Sequence, residues 1–176
     1  MAGRYDGLRV LVVDDNLHMR VLVTAVLSAF GIRDIVEATS ADEAWDAMVQ
    51  KPADIVFSDW GLVGMSGLEL TEKFRKDPAS PNPFIPIVML SGHTTPERIE
   101  AARNAGVHEF LTKPVATKGQ MACLESVIEN PRPFVRTENY FGPCRRREAR
   151  QDYRGPERRI NVVAIVEPES KAADAA

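Results

Sequence analysis

Five short strand-like runs, four of them followed at the carboxyl end by a polar or charged residue, constrain this chain more than any other feature. Leu8 to Val13 runs into Asp14-Asp15-Asn16, Ile55 to Ser58 into Asp59, Ile87 to Leu90 into Ser91-Gly92, and Glu109 to Thr112 into Lys113-Pro114; Ile32 to Glu37 is a weaker member of the set. Continuously apolar runs, unlike alternating ones, mark strands buried on both faces of a parallel sheet. Helical patterns fill the intervals. Leu17 to Phe30 places Val21, Leu22, Ala25, Val26 and Ala29 at helical spacing as an apolar face, with Gly31 as its stop. Ser40-Ala41-Asp42-Glu43 is a capping-box pattern, and Ala44, Ala47 and Met48 form the apolar face that follows. A third helix is predicted from Ser66 to Lys76. Thr95-Pro96-Glu97 opens a fourth, with proline where a missing N–H costs nothing, and Lys118 to Glu129 is the fifth. Five β–α alternations predict an α/β fold, a doubly wound five-stranded parallel sheet with helices on both faces.

Ligands of such sheets bind beyond the carboxyl ends of the strands. There this sequence supplies Asp14, Asp15, Asp59, Ser91 and Lys113. Clustered carboxylates repel and need a counter-charge, which a hard divalent cation such as Mg²⁺ provides through oxygen ligands. A carboxylate beside Mg²⁺ and a lysine is also a nucleophile suited to a phosphoryl group. A single aspartate after a strand is as readily a turn cap, but five positions in order are not. Met19 and Met48 are expected in the core. His18 and His108 lack a second ligand at metal spacing and are expected at exposed or capping positions.

This order of residues resembles the CheY-like receiver domain of two-component response regulators over about residues 8–130. The resemblance implies a flavodoxin-like fold in which Asp59 accepts a phosphoryl group from a sensor histidine kinase. It also implies that Asp14 and Asp15, with the Asp59 carboxylate and the Gly61 carbonyl, hold Mg²⁺. Ser91 and Lys113 would bind phosphoryl oxygens, Phe110 stands where the family has its aromatic switch residue, and Lys113-Pro114 matches a peptide bond that is usually cis. The sequence departs from the family pattern at Val63, where proline is common, and at Gly92 and His93 after Ser91.

The net charge of −3 hides a split along the chain. Residues 1–130 carry 12 basic and 18 acidic groups, whereas 131–160 carry nine arginines, no lysine and four acids. Asn130-Pro131-Arg132-Pro133 should stop any helix at the junction. The expected organisation is therefore a receiver over 1–130, an arginine-rich segment over 131–160 and an extension over 161–176. Within the arginine-rich segment, Tyr140-Phe141-Gly142-Pro143-Cys144-Arg145-Arg146 recurs as Tyr153-Arg154-Gly155-Pro156-Glu157-Arg158-Arg159, preceded by Asn139 and Asp152. Gly-Pro favours a tight turn that brings the ring back over the arginine pair. A ring face, a guanidinium fork and a nearby amide or carboxylate suit guanine, and the use of arginine without lysine favours planar, bidentate contacts over bulk charge.

A duplicated unit implies a ligand with two similar ends, and cyclic di-GMP is one. The tail resembles the arginine-rich segment of the Cle proteins, CheY-like cyclic di-GMP effectors whose targets include the flagellar motor. That resemblance nominates Tyr140, Arg145, Arg146, Arg147, Asp152, Tyr153, Arg158, Arg159 and Arg136 as ligand-binding residues. Without ligand the segment is expected to lack fixed structure, while Asn161 to Val166 is an apolar stretch of the kind that adds an edge strand or docks on a partner. The combined expectation is a non-catalytic signalling adaptor that binds cyclic di-GMP and docks on a flagellar motor switch protein to control motility. The alternative is a phosphoacceptor shuttle whose tail binds nucleic acid or nothing; the Gly-Pro register argues against nucleic acid, which needs only scattered positive charge.

Composition narrows the remaining classes. With 44% apolar and 27% charged residues the chain is of globular type, and no apolar run approaches the ~18 residues of a membrane span. Met1 to Arg9 lacks the apolar stretch of a signal peptide. Only Cys123 and Cys144 are present, which points to a reducing compartment such as the cytoplasm and not to a disulfide scaffold.

Overall fold

A computed structural model describes residues 5, 7–114 and 116–145 and the backbone of 164–166. The chain alternates β1 (Arg9–Val13), α1 (Leu17–Ala29), β2 (Asp34–Ala38), α2 (Ala41–Gln50), β3 (Ile55–Asp59), α3 (Gly67–Lys76), β4 (Ile87–Ser91), α4 (Pro96–Ala105), β5 (Glu109–Thr112) and α5 (Thr117–Glu129). The five strands form one parallel sheet in the order β2-β1-β3-β4-β5. This is the flavodoxin-like arrangement, and its one switch in winding direction lies between the neighbouring strands β1 and β3.

Strand alternation divides the core in two. Leu11, Val13, Val56, Ile87 and Met89 face α2, α3 and α4, packing with Met48, Leu70 and Phe74. Val10, Val12, Ile55, Phe57, Val88 and Leu90 face α1 and α5, packing with Val23, Leu27 and Leu124. Both faces are covered, so the strands carry no polar side. Helix starts follow the sequence. Asn16 accepts from the N–H groups of His18 and Met19, Ser40 from Glu43 and Thr95 from Arg98, and Ser66 and Glu69 form a reciprocal capping box. At α2 the box is shifted, because the Glu43 carboxylate accepts from the N–H and hydroxyl of Thr39. Met48 lies in the core and Met19 packs against it, as expected.

Two side-chain expectations are corrected. On α1 the buried face is Arg20, Val23 and Leu27, while Val21 is 55% and Leu22 41% exposed. Arg20 takes the inward position because its guanidinium has fixed partners there, the Asp14 carbonyl at 2.8 Å and the Glu37 carboxylate at 3.0 Å. His108 is not an exposed or capping residue but a buried one. Its Nδ1 accepts the N–H of Ile87 at 3.2 Å. Burial, reinforced by Arg75 and Arg132, holds its pKa well below the usual 6.5, so the ring is neutral.

Beyond α5 the chain stays on the body. Phe134–Arg136 (β6) and Phe141–Pro143 (β7) form an antiparallel pair, and Ala164–Val166 (β8) flanks β6 on its other edge. The expectation of a segment without fixed structure is therefore corrected for residues 131–145, and within the apolar stretch Ala164–Val166 forms the edge strand β8. The hairpin docks through rings: Phe134 lies 5.0 Å from Phe84, 5.4 Å from Phe141 and 5.4 Å from His108, centroid to centroid. Beneath it sits Arg75, 3% exposed, donating to the carbonyls of Pro83, Ile85 and Gly106. Burial pulls its pKa down to about 9, which leaves it protonated at neutral pH. Arg132 similarly donates to the carbonyls of His108 and Cys144. Gly142 is required where β7 meets the α4 terminus, since a Cβ there would come within 2.6 Å of the Tyr140 Oη and 2.9 Å of the Gly106 Cα.

Candidate functional site

The carboxyl ends of β1, β3 and β5 bring together the groups that the sequence places there. Asp14, Asp15 and Asp59 each offer an oxygen within 4.8 Å of the others. Asp14 is almost wholly buried, Asp59 is half-buried and Asp15 is exposed. Lys113 extends from the end of β5 and bridges two of them, its Nζ 2.6 Å from Asp14 Oδ2 and 2.8 Å from Asp59 Oδ1. Burial lowers the ammonium's pKa, but the hydrogen bonds and charges of Asp14 and Asp59 outweigh it, so the group lies above its usual value and is held charged. The Lys113–Pro114 peptide is cis.

Three carboxylates against one ammonium leave a formal charge of −2, matched by one divalent cation and by oxygen-only donors of the kind Mg²⁺ prefers. The residues present thus fit the ion. The Gly61 N–H donates to Asp59 Oδ2 at 3.1 Å, which fixes that carboxylate from the loop side. Gly67 packs against the Asp59 main chain. The first residue of α3 sits so close that a Cβ there would lie 2.0 Å from the Asp59 carbonyl oxygen, and its N–H donates to the Trp60 carbonyl at 3.0 Å.

Ser91 ends β4 one residue beyond Leu90, the partner of Asp59 in the ladder. Its buried hydroxyl donates to the His93 carbonyl at 2.9 Å and accepts from the His93 N–H at 3.2 Å. A third partner, missed in the sequence, is Arg98 of α4, whose Nη1 is 3.3 Å from Ser91 Oγ. The same guanidinium lies 4.9 Å above the ring of Trp60. Trp60 in turn meets Phe110 edge-to-face at 6.3 Å. Asp59, Trp60, Arg98, Ser91 and Phe110 thus form a connected set spanning β3, β4, α4 and β5. Gly67 carried a readable signal, a glycine directly after the Ser66 cap where other residues would serve a helix better. Arg98 carried none, since an arginine in the first turn of a polar helix is ordinary.

Of the nominated ligand-binding residues, Arg136, Tyr140 and Arg145 are described; Arg146, Arg147, Asp152, Tyr153, Arg158 and Arg159 lie outside the described residues. Arg145 Cζ stands 4.6 Å from the centroid of the Tyr140 ring, and Arg136 Cζ stands 4.2 Å from that of Phe141. Ring and guanidinium meet, but not through a Gly-Pro turn. Gly142 and Pro143 are extended in β7, and the chain reverses earlier, where the Thr137 N–H donates to the Tyr140 carbonyl at 2.8 Å. Tyr140 donates its hydroxyl to the Pro143 carbonyl at 2.8 Å. A shallow cleft opens beside this unit, lined by Tyr140 and Arg145 from the tail and by Ile99, Arg103 and Phe110 from α4 and β5. Both cysteines are free thiols, and among the described residues no helix is long and apolar enough to cross a membrane.

Comparison with known proteins agrees with this geometry. The family described as response regulator receiver domain matches residues 10–124. The chain is 32% identical over 122 residues to the chemotaxis protein CheY1 of Helicobacter pylori, covering 69% of this chain and 97% of that one. It is 35% identical over 133 residues to the sensory/regulatory protein RpfC of Xanthomonas campestris, covering 76% of this chain but spanning only 18% of RpfC. Among solved structures, chemotaxis protein CheY4 of Vibrio cholerae superposes with a TM-score of 0.63 at 28% identity, over 68% of this chain and 98% of that one.

Proposed function

We propose, from the premise that this chain belongs to the response regulator receiver family, that it is a non-catalytic signalling adaptor switched by phosphorylation of Asp59 and by cyclic di-GMP. A sensor histidine kinase or a small acyl phosphate is the donor. The donor's bond to phosphorus breaks as an Asp59 carboxylate oxygen bonds to it, and the leaving group departs with the electron pair. Magnesium, held by Asp14, Asp15, Asp59 and the Gly61 carbonyl, supplies neutralisation of phosphoryl charge when bound. Lys113 contributes a fixed ammonium and Ser91 a hydroxyl donor for the phosphoryl oxygens. Phe110, in edge contact with Trp60, reads the change out toward α4 and β5. The observation that carries this reading is the Lys113 ammonium seated between Asp14 and Asp59 at 2.6 and 2.8 Å. Acetyl phosphate with magnesium should label the protein, and Asp59→Asn should abolish the label; labelling that persists in Asp59→Asn overturns the assignment.

The second input rests on the tail. The stack of Arg145 on Tyr140 supports it, since a ring face beside a guanidinium fork is what a guanine base requires. Arg136, Arg146, Arg147, Asp152, Tyr153, Arg158 and Arg159 complete the ligand set, and the loaded tail presents a new surface to a flagellar motor switch protein. Calorimetry with cyclic di-GMP should give heat of binding in wild type and lose at least tenfold in affinity in Arg145→Ala/Arg158→Ala. Unchanged affinity in the double variant removes the ligand from the proposal and leaves a phosphoacceptor shuttle.

A further inference from the structure

The hydroxyl of Ser91 has one proton and two lone pairs, and all three are in use: it donates to the His93 carbonyl and accepts from the His93 N–H and from Arg98 Nη1. For Ser91 to donate to a phosphoryl oxygen it must release His93, and a phosphoryl oxygen that accepts from Oγ lies at about 2.7 Å from it. Adding the 3.3 Å from Oγ to Arg98 puts that oxygen no more than about 6 Å from the Arg98 guanidinium. The phosphoryl group also adds negative charge to a rim where Lys113 is already shared between two aspartates. Arg98 is the next cation in the connected set. It is half-buried, its Cζ lies 4.9 Å from the centroid of the Trp60 ring, and Trp60 is bonded directly to Asp59 in the chain. A guanidinium held in this way forms bidentate, charge-assisted contacts with phosphate oxygens at little further cost in ordering.

We propose that Arg98 is a phosphoryl-binding residue of the Asp59 site, moving from the Ser91 hydroxyl to a phosphoryl oxygen when Asp59 is modified. The inference rests on Asp59 being the phosphoacceptor. In the resting protein Arg98 holds Ser91 Oγ and lies over Trp60; in the modified protein it and Ser91 hold separate oxygens of one group. Movement of Arg98 carries the first turn of α4 with it, so the same residue links the chemistry to the Phe110 side of the molecule. Loss of the group by hydrolysis forms a water oxygen–phosphorus bond, breaks the Asp59 oxygen–phosphorus bond and returns both Arg98 and Ser91 to their resting partners.

Beryllofluoride with magnesium, a stable mimic of a phosphoryl group on a carboxylate, separates charge from packing. Calorimetry on the full chain should show affinity about tenfold weaker in Arg98→Ala and in Arg98→Met, and only about threefold weaker in Arg98→Lys, consistent with one charge-assisted contact. Arg98→Met keeps the apolar stem over Trp60. If it binds as tightly as wild type, the residue only packs on Trp60 and the proposal fails, whatever Arg98→Ala does. Wild type that takes neither beryllofluoride nor acetyl phosphate label overturns the phosphoacceptor reading itself. Wild type that labels and loses the label in Asp59→Asn, with Arg98→Met indistinguishable from it, overturns only the role of Arg98.

Discussion

The rim at the strand ends and the hairpin beyond α5 are both organised by cations, in opposite ways. At the rim an ammonium faces carboxylates, Lys113 against Asp14 and Asp59, and the charge left over suits a metal ion and a phosphoryl group. At the hairpin the buried guanidiniums face carbonyls and rings: Arg75 donates to Pro83, Ile85 and Gly106, and its Cζ lies 5.3 Å from the Phe134 ring. Lysine serves where a point charge must be shared among oxygens. Arginine serves where a flat, many-pronged donor must satisfy main-chain groups that the sheet leaves over. The arginines of the tail therefore divide. Arg132 is structural cement between β5 and the hairpin, while Arg136 and Arg145 are exposed and lie over aromatic rings.

The comparison breaks most readily at Phe134. If the hairpin is part of the folded body, Phe134→Ala removes a ring that is 1% exposed and should cost about 3–5 kcal/mol in urea unfolding monitored by circular dichroism. An unfolding curve superimposable on wild type would make the hairpin an appendage. At the rim, Gly67→Ala drives a methyl group into the Asp59 carbonyl and should cost about 1–3 kcal/mol while slowing acetyl phosphate labelling. Stability lost without any change in labelling rate would show that Gly67 supports α3 and not the site.

The smallest effect is one of pH. His108 has a pKa depressed in the folded chain, so the unfolded chain binds the extra proton first as pH falls through 6.5. Stability should therefore decline on acidification from pH 6.5, with a slope of at most about 1.4 kcal/mol per pH unit. His108→Asn, which keeps an acceptor for the Ile87 N–H, should flatten that decline. An unchanged slope assigns the acid sensitivity elsewhere.

The sheet and the rim were legible because the physics that makes them is local and repetitive. A strand covered on both faces must be apolar throughout, and its end is announced by the first charged residue; Asp14, Asp59 and Lys113 stand at those ends. Side chains whose place depends on distant partners were not legible. Leu17, Val21 and Ala25 of α1 have helical spacing as good as that of Arg20, Val23 and Leu27, and the inward place of Arg20 depends on its distant partners, Glu37 and the Asp14 carbonyl. His108 reads as an isolated histidine until the Ile87 N–H and the Phe134 ring surround it. The hairpin was obscured by its arginines and prolines, although Phe134-Val135 and Phe141 supplied apolar residues that match the half-exposed Phe84 of the loop before β4.

The order β7-β6-β8 makes β6 the shared partner of two segments far apart in sequence. Arg136 is opposite Phe141 on one edge and Ala164 on the other. Phe141 and Ala164, which flank Arg136, therefore stand about two strand spacings apart, roughly 9–10 Å. A segment whose two ends are held on one three-stranded sheet starts with its closure entropy already met by the strands that clasp it.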